Sequence, residues 1–494
     1  MFDIGTEFYI VMGLYFLVVV GIGLWSGRKN RGSEDFLVAG RSIGPVVGGA
    51  AFAATQMSAG TFVGTFGIHY LTGASFLWIW AGLWMGWLIS ATLVGPKLQA
   101  FRGQTVPDYV ATRFNSQTAR GISALLLVVA YTVYLTAQYQ AGGNVFQTMF
   151  GVPLIWGALI ILGITLIYTM VGGMRATAYS DFVQAIIMAG VFFAALPLLF
   201  GKAGGAEFVG DFLTELDPNL TGWSMSFVEL AGFGAAFGLS IAVAPYELAR
   251  MYTLRDRRTV KLAIGVAFVF QAIIGISVAA AAMAVHTMYP FISNPDIAST
   301  VMSVDVLPPV VGALFIVAIL AAIMSTVAGI MIVSASAISH DFYSTMIRPQ
   351  ASDREKLMVN RVAVLLLAIL PISLTLQEID LVQFIVLLQA SLIASFFFAA
   401  VVIGLNWRRG TAAGAITSMV GGFTAAVAWY FADNPFGLDP VIPGVLVSAV
   451  LFVGISLVTK PAPEAALKPF FREDHEEGQT NDRAGRRMEG GTTG

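Results

Sequence analysis

The chain predicts an all-α polytopic membrane protein of about 13 transmembrane helices, and three observations predict it. The first is composition: of 494 residues, 57% are hydrophobic and only 11% charged, where an ordinary soluble domain carries roughly 25% charged residues. The second is a series of apolar runs of at least ~18 residues, each able to cross ~30 Å of hydrocarbon as a helix. The third is the alternation of Lys and Arg between successive loops, which a membrane topology demands. The chain has no cysteine, so disulfide and thiol chemistry are excluded. The net charge of −2 points to no partner, because the charges are segregated by side. The expected partners are a small-molecule solute and the lipid bilayer, with no nucleic acid.

The N-terminal "MFDIGTEFYIVMGLYF" lacks a basic stretch and a small-residue cleavage site, and reads as a retained first span at about 7–27. Twelve more follow at 44–69, 73–95, 120–150, 153–174, 178–200, 226–250, 259–288, 307–338, 358–376, 379–404, 410–431 and 440–459. With this count, all of the 27 Lys and Arg residues except Lys202 fall in or beside loops after odd-numbered spans, or in the C-terminal tail. Positive-inside bias then predicts a cell-membrane protein with its N-terminus outside and its C-terminus in the cytoplasm. The tail "FFREDHEEGQTNDRAGRRMEGGTTG" is polar and of mixed charge, with too little apolar content to fold alone. The "TVPDYVATRF" loop predicts a short helix starting at Asp108. His340 and Asp341, at the cytoplasmic end of span nine, read as solvated.

Span two, "PVVGGAAFAATQMSAGTFVGTFG", and span seven, "FVELAGFGAAFGLSIAVAPYELAR", are rich in Gly, Ala and polar residues where a lipid-facing helix would be rich in Leu. Each opens a block of five spans, 44–200 and 226–404. An odd number of spans makes the second block enter the membrane in the opposite sense, which is the geometry of an inverted repeat with interrupted first helices. Close packing of unbroken helices through small residues is the other reading. The chain thus divides into a first span and cytoplasmic loop (1–43), repeat one (44–200), an external loop (201–225), repeat two (226–404), two further spans (405–459) and a disordered cytoplasmic tail (460–494).

Within "ILAAIMSTVAGIMIVSAS", Ala322, Ser325 and Thr326 stand at i, i+3 and i+4 and share one helix face. Two hydroxyls and a carbonyl can converge there on a hard cation, with unwound backbone from "AATQMS" (53–58) supplying further oxygens. Alternatively, both hydroxyls bond back to carbonyls one turn earlier. The centres of spans two, four and nine hold no Asp, Glu, Lys, Arg or His. A proton carrier needs a titratable group at that depth, so neutral oxygens favour Na⁺. The membrane field supplies ~2.3 kcal/mol per charge per 100 mV and a tenfold gradient ~1.4 kcal/mol. Together these support more than about a hundredfold accumulation of a neutral solute.

"LIYTMVGGMRATAYSDFVQAIIM" resembles the signature of the sodium:solute symporter family through Gly172, Gly173, Ala176, Asp181 and Gln184. "AAIMSTVAGIMIVSASAISHDFY" is similar to that family's sodium-site helix, and "AATQMSAGTFVG" to its unwound first core helix. The resemblance spans roughly residues 5–460. It implies the leucine-transporter-like fold of two inverted five-helix repeats, here with one extra helix before and two after. It implies Na⁺ as coupling ion, held by the carbonyls of Ala54, Met57 and Ala322 and the hydroxyls of Ser325 and Thr326. Asp181 matches an aspartate on the ion-release path, its other reading being a helix cap.

By the same resemblance the solute sits near Gln56, Thr61, Phe62, Tyr134, Gln138, Phe237 and Ile241. The family's proline carriers have Asp and Trp where this chain has Gln56 and Gly60, and Trp and Tyr where it has Phe237 and Ile241. "YLTAQYQAGG" looks more like its vitamin and monocarboxylate carriers. The function expected is therefore Na⁺-coupled symport, by alternating access, of a monocarboxylate or pantothenate-like anion. The alternatives are a proline-like amino-acid symporter, or a solute sensor or uniporter on the same fold. No nucleophile, metal-ligand cluster or cofactor loop lies at membrane depth, so an enzyme is not expected.

Overall fold

The computed structural model describes residues 4–28, 38–377 and 380–471. The chain-terminal half of the tail (472–494) and the loop residues 29–37, with their basic groups Lys29 and Arg31, lie outside the described residues. Among the described residues, eleven helical stretches are long and apolar enough to cross a membrane. Gly60–Phe101 joins the second half of span two to span three, and Leu154–Lys202 holds spans five and six, so the crossings number thirteen.

Span nine (Pro309–Ser336) is the axis. Its most apolar window is 100% buried, against 22% for span one (Thr6–Gly27) and 28% for span thirteen (Val441–Val458). A helix apolar all round belongs inside other helices, and this one is lined with Ala, Gly, Ser and Met that let neighbours approach. The spans wrapped round it include one, two, four and six. Loops rich in Lys and Arg gather at one end of the bundle, the basic end.

Both blocks of five open on a broken helix. Span two runs Pro45–Gln56, leaves helical geometry at Met57 (φ −76°, ψ 92°) and resumes over 60–72. Span seven runs Phe227–Val243, breaks at Ala244 (φ −60°, ψ 119°) and restarts with Pro245–Thr253. Proline excludes the α conformation from the residue before it and suits the first turn of a new helix, so Ala244–Pro245 accounts for the second break. No proline marks the first. There the Ser58 hydroxyl accepts from the Gly60 amide at 3.0 Å and satisfies a donor that the restart leaves open.

Spans five and six reverse on a single residue. Tyr168 packs on Gly23 and Val171 on Gly27, then Tyr179 meets Trp25 and Gln184 meets Tyr15, so the contacts run up span one and back down it. The turn is Gly173, at φ 57° and ψ −155°, a region open in practice only to glycine. Gly173→Ala is expected to destabilise the protein by about 1–3 kcal/mol. Thermal unfolding in detergent measures this, and an unchanged midpoint would remove the argument.

The signature motif thus gains physical content. Besides this turn it supplies Gly172 against Gly23, and Gln184, whose amide donates to the Tyr15 hydroxyl at 2.8 Å. Spans three and seven touch backbone to backbone: a Cβ on Gly82 would lie 2.1 Å from the Gly234 carbonyl, and one on Gly86 2.1 Å from that of Gly238.

The basic end differs from expectation in three places. Asp341 is fully buried, not solvated: it pairs with Arg120 at 2.7 Å and accepts from the Thr105 hydroxyl at 2.9 Å. An ionised carboxylate is buried at low cost only where a cation and donors meet it, and Arg120, five spans earlier in the chain, was invisible as its partner. The short loop helix is Val106–Phe114, but Thr105, not Asp108, caps it; Asp108 sits in its first turn, 3.4 Å from Arg120. The expected disordered tail is ordered as far as residue 471. Glu464 pairs with Arg408, Phe470 packs on Phe101 and Tyr109, and Phe471 lies among Lys97, Arg113 and Arg408. Two adjacent phenylalanines supply the apolar anchor that the rest of the tail lacks. The expected external loop also carries a helix, Ala206–Leu216.

Candidate functional site

The break in span two lies against the middle of span nine. The Ser325 hydroxyl stands 2.9 Å from the Ala54 carbonyl and 2.9 Å from that of Ala322. The Thr326 hydroxyl stands 3.0 Å from the Thr55 carbonyl and 3.1 Å from that of Ala322. All five oxygens belong to fully buried residues. Each hydroxyl reaches back to Ala322, as the one-turn reading expects, and also across to span two. Five oxygens thus meet at one buried point with no charged group among them. Such an uncharged oxygen set suits a hard monovalent cation. Of the expected ligands, Ala54, Ala322, Ser325 and Thr326 come together. Met57, at the break itself, donates its amide to Ala53 at 2.9 Å; the two hydroxyls bond to the carbonyls of Ala54 and Thr55, and Thr55 was not among the expected ligands.

Span four holds the break open. The Gln138 side-chain oxygen accepts from the Ala59 amide at 3.0 Å, and the Tyr134 hydroxyl bonds to Ser58. The Tyr131 hydroxyl accepts from the Tyr246 amide at 2.9 Å, and the Tyr246 hydroxyl donates to the Gln56 side chain at 2.8 Å. The two broken helices are thus bonded to each other and to one unbroken helix.

A narrow cavity of ≈ 20 Å³ lies above this layer. Gln56, Thr61 and Phe237 line it, together with Ser58, Thr65 and Trp80, which sequence reasoning missed. Trp80 is buried and its indole N–H has no protein partner, an unmet donor beside an empty space. Four expected contacts are elsewhere. Phe62 faces away, stacked on Phe192 (5.7 Å) and near Phe315 (6.0 Å). Gln138 gives its side-chain oxygen to Ala59 while its Nε2 is buried without a partner, Tyr134 reaches the cavity only through Ser58, and Ile241 is buried outside it. A broken helix changes its facing residues at the break, so helical spacing misplaces them.

Below the cation cluster, Asp181 is fully buried and pairs with Arg250 of span seven at 2.6 Å. It lies well inside span six and caps nothing. Arg250 and its neighbour Glu247, both in Pro245–Thr253 after the break in span seven, were not among the expected site residues.

Two inverted five-helix repeats, each opening on a broken helix, with an oxygen cluster and a small cavity at the breaks, define a secondary active transporter. The profile of the sodium:solute symporter family matches residues 36–422. The chain belongs to the sodium:solute symporter family, and it is a Na⁺-coupled solute symporter, not an enzyme. It is 28% identical to the osmoregulated proline transporter OpuE of Bacillus subtilis, over 94% of this chain and 97% of that one. It is also 28% identical to the sodium/proline symporter of Staphylococcus aureus, over 93% and 94%. Among solved structures it resembles a Na⁺-coupled sialic acid symporter in a substrate-bound outward-open state (TM-score 0.82, 17% identity, 93% of this chain and 100% of that chain). It also resembles Mhp1, a nucleobase-cation-symport-1 family transporter in a closed conformation (TM-score 0.59, 14% identity, 89% and 98%). The expected kinship to monocarboxylate and vitamin carriers finds no support: the relatives are proline transporters. Local residues around Tyr134–Gly143 were a poor guide, because span four here braces the break more than it lines the cavity.

Proposed function

We propose that the chain carries a small zwitterionic, amino-acid-like solute together with Na⁺, with the ion held by the carbonyls of Ala54, Thr55 and Ala322 and the hydroxyls of Ser325 and Thr326. The single observation that carries the ion site is the convergence of those five oxygens where a broken helix crosses a buried one. For the solute, the cavity walls hold no Asp, Glu, Lys, Arg or His, so a solute without net charge matches them. Trp80 and Gln56 offer donors to a carboxylate. The relatives' named solute, proline, is of this class. The loss of the proline carriers' Asp and Trp at Gln56 and Gly60 argues for a related solute of different shape as an equal candidate. In this reading the basic end faces the cytoplasm, by the positive-inside bias. Na⁺ enters from outside, fixes span two against span nine, and completes the cavity. The test is uptake into proteoliposomes of labelled proline, other small amino acids and short monocarboxylates, with and without an inward Na⁺ gradient. Concentrative, Na⁺-dependent uptake of an amino acid supports the reading; uptake of monocarboxylates alone overturns the solute class.

A further inference from the structure

We propose that Glu247 is a proton-binding site that exchanges with the cytoplasm once per cycle, giving transport a dependence on internal pH beside its dependence on sodium. The proposal rests on the symport reading and the orientation above.

Glu247 lies in Pro245–Thr253, the half of span seven that follows the break, and is 1% exposed. Neither of its carboxyl oxygens has a hydrogen-bond partner. Arg250, one turn along the same face, is the nearest cation, but it is committed to Asp181 at 2.6 Å. One guanidinium thus stands between two buried carboxyl groups and pairs with only one. Its Nε and Nη1 are buried without partners, so donors remain on it for Glu247.

The groups facing Glu247 are Asp181, Arg250, Tyr131, Tyr134 and Tyr246. Spans two and nine present it no titratable group where they pack. The other charged residues on neighbouring elements are turned elsewhere. Arg41 donates to the carbonyls of Tyr252 and Arg102, Lys97 to Leu405, Arg113 to Gly404, and Asp108 lies beside Arg120.

An ionised carboxylate buried with no donor costs several kcal/mol, so with the basic end closed Glu247 is held as the neutral acid. Opening that end admits water. The O–H bond then breaks, the proton passes to cytoplasmic water, and the carboxylate is met by that water and by the unused donors of Arg250, whose Nη2 stays on Asp181. Closing again needs the proton back. Glu247 does not line the solute cavity, and in this proposal the proton returns to the side it left and none crosses the membrane. Alkaline internal pH favours the ionised form, holds the basic end open and slows the return step.

Two measurements test this. Infrared spectra of the purified full-length protein are expected to show a protonated-carboxyl band that Glu247→Gln removes, Glu247→Asp shifts and Asp181→Asn leaves in place. A spectrum unchanged by Glu247→Gln overturns the proposal, and so does one unmoved in Glu247→Asp if the glutamine variant does not fold. In proteoliposomes at fixed external pH and Na⁺ gradient, proline uptake by the wild type is expected to fall up to about tenfold per unit of rising internal pH on the alkaline limb of a one-proton titration. Glu247→Gln should flatten that limb while the Na⁺ concentration for half-maximal uptake stays put; a limb of wild-type steepness overturns the proposal. Failure of the solute reading looks different: no Na⁺-stimulated proline uptake at any pH, with the infrared band untouched.

Discussion

Ser325→Ala and Thr326→Ala are each expected to raise the Na⁺ concentration for half-maximal uptake by about ten- to a hundredfold, and the double variant is expected to abolish accumulation against a gradient. Each substitution removes one oxygen from a cluster of five, and an interaction with a charged group is worth about 1.5–3 kcal/mol, or roughly one to two decades in affinity. A purely structural role for the hydroxyls predicts another outcome. Both also bond to the Ala322 carbonyl of their own helix, and losing such a bond alone would lower stability or maximal rate without moving the sodium curve. The measurement is the Na⁺ dependence of initial uptake rate at fixed solute, with detergent stability as control. A wild-type sodium curve in the double variant would refute the assignment of the ion site.

Arg120→Ala is expected to bias the protein strongly toward an open basic end. Arg120 neutralises Asp341, a fully buried carboxylate that also draws a hydrogen bond from Thr105, and so ties span four to span nine and to the loop helix 106–114. Removing one partner of a buried pair costs about 3–5 kcal/mol because the other charge is stranded. Opening relieves that cost by hydrating Asp341, which amounts to a population shift of a hundredfold or more. The chain contains no cysteine, so Ala328→Cys gives a single reporter, buried in span nine below the ion cluster. Its reaction with a membrane-impermeant thiol reagent from the basic side should accelerate by about that factor. Arg120→Ala with Asp341→Ala removes both charges and should restore much of the protection. Equal labelling in the single and double variants would mean that the pair is not a latch.

The crossings and the two interrupted helices could be read from the sequence because each rests on local chemistry. Apolar length specifies a span, Gly and Ala in place of Leu mark the interrupted ones, and Ala244–Pro245 imposes one break through proline geometry. Ala322, Ser325 and Thr326 were legible for the same reason: fixed helical spacing puts them on one face. What lay beyond the sequence was every choice made by a contact between distant segments. Thr55 adds its carbonyl to the cluster on span nine, and Phe62 turns from the cavity while Trp80 lines it, because a broken helix loses the periodicity that predicts facing. Asp341 is buried because Arg120 reaches it, and Glu247 stands unpaired because Arg250 is taken by Asp181. A buried charge depends on its partner, and in this chain the partners are supplied by tertiary packing.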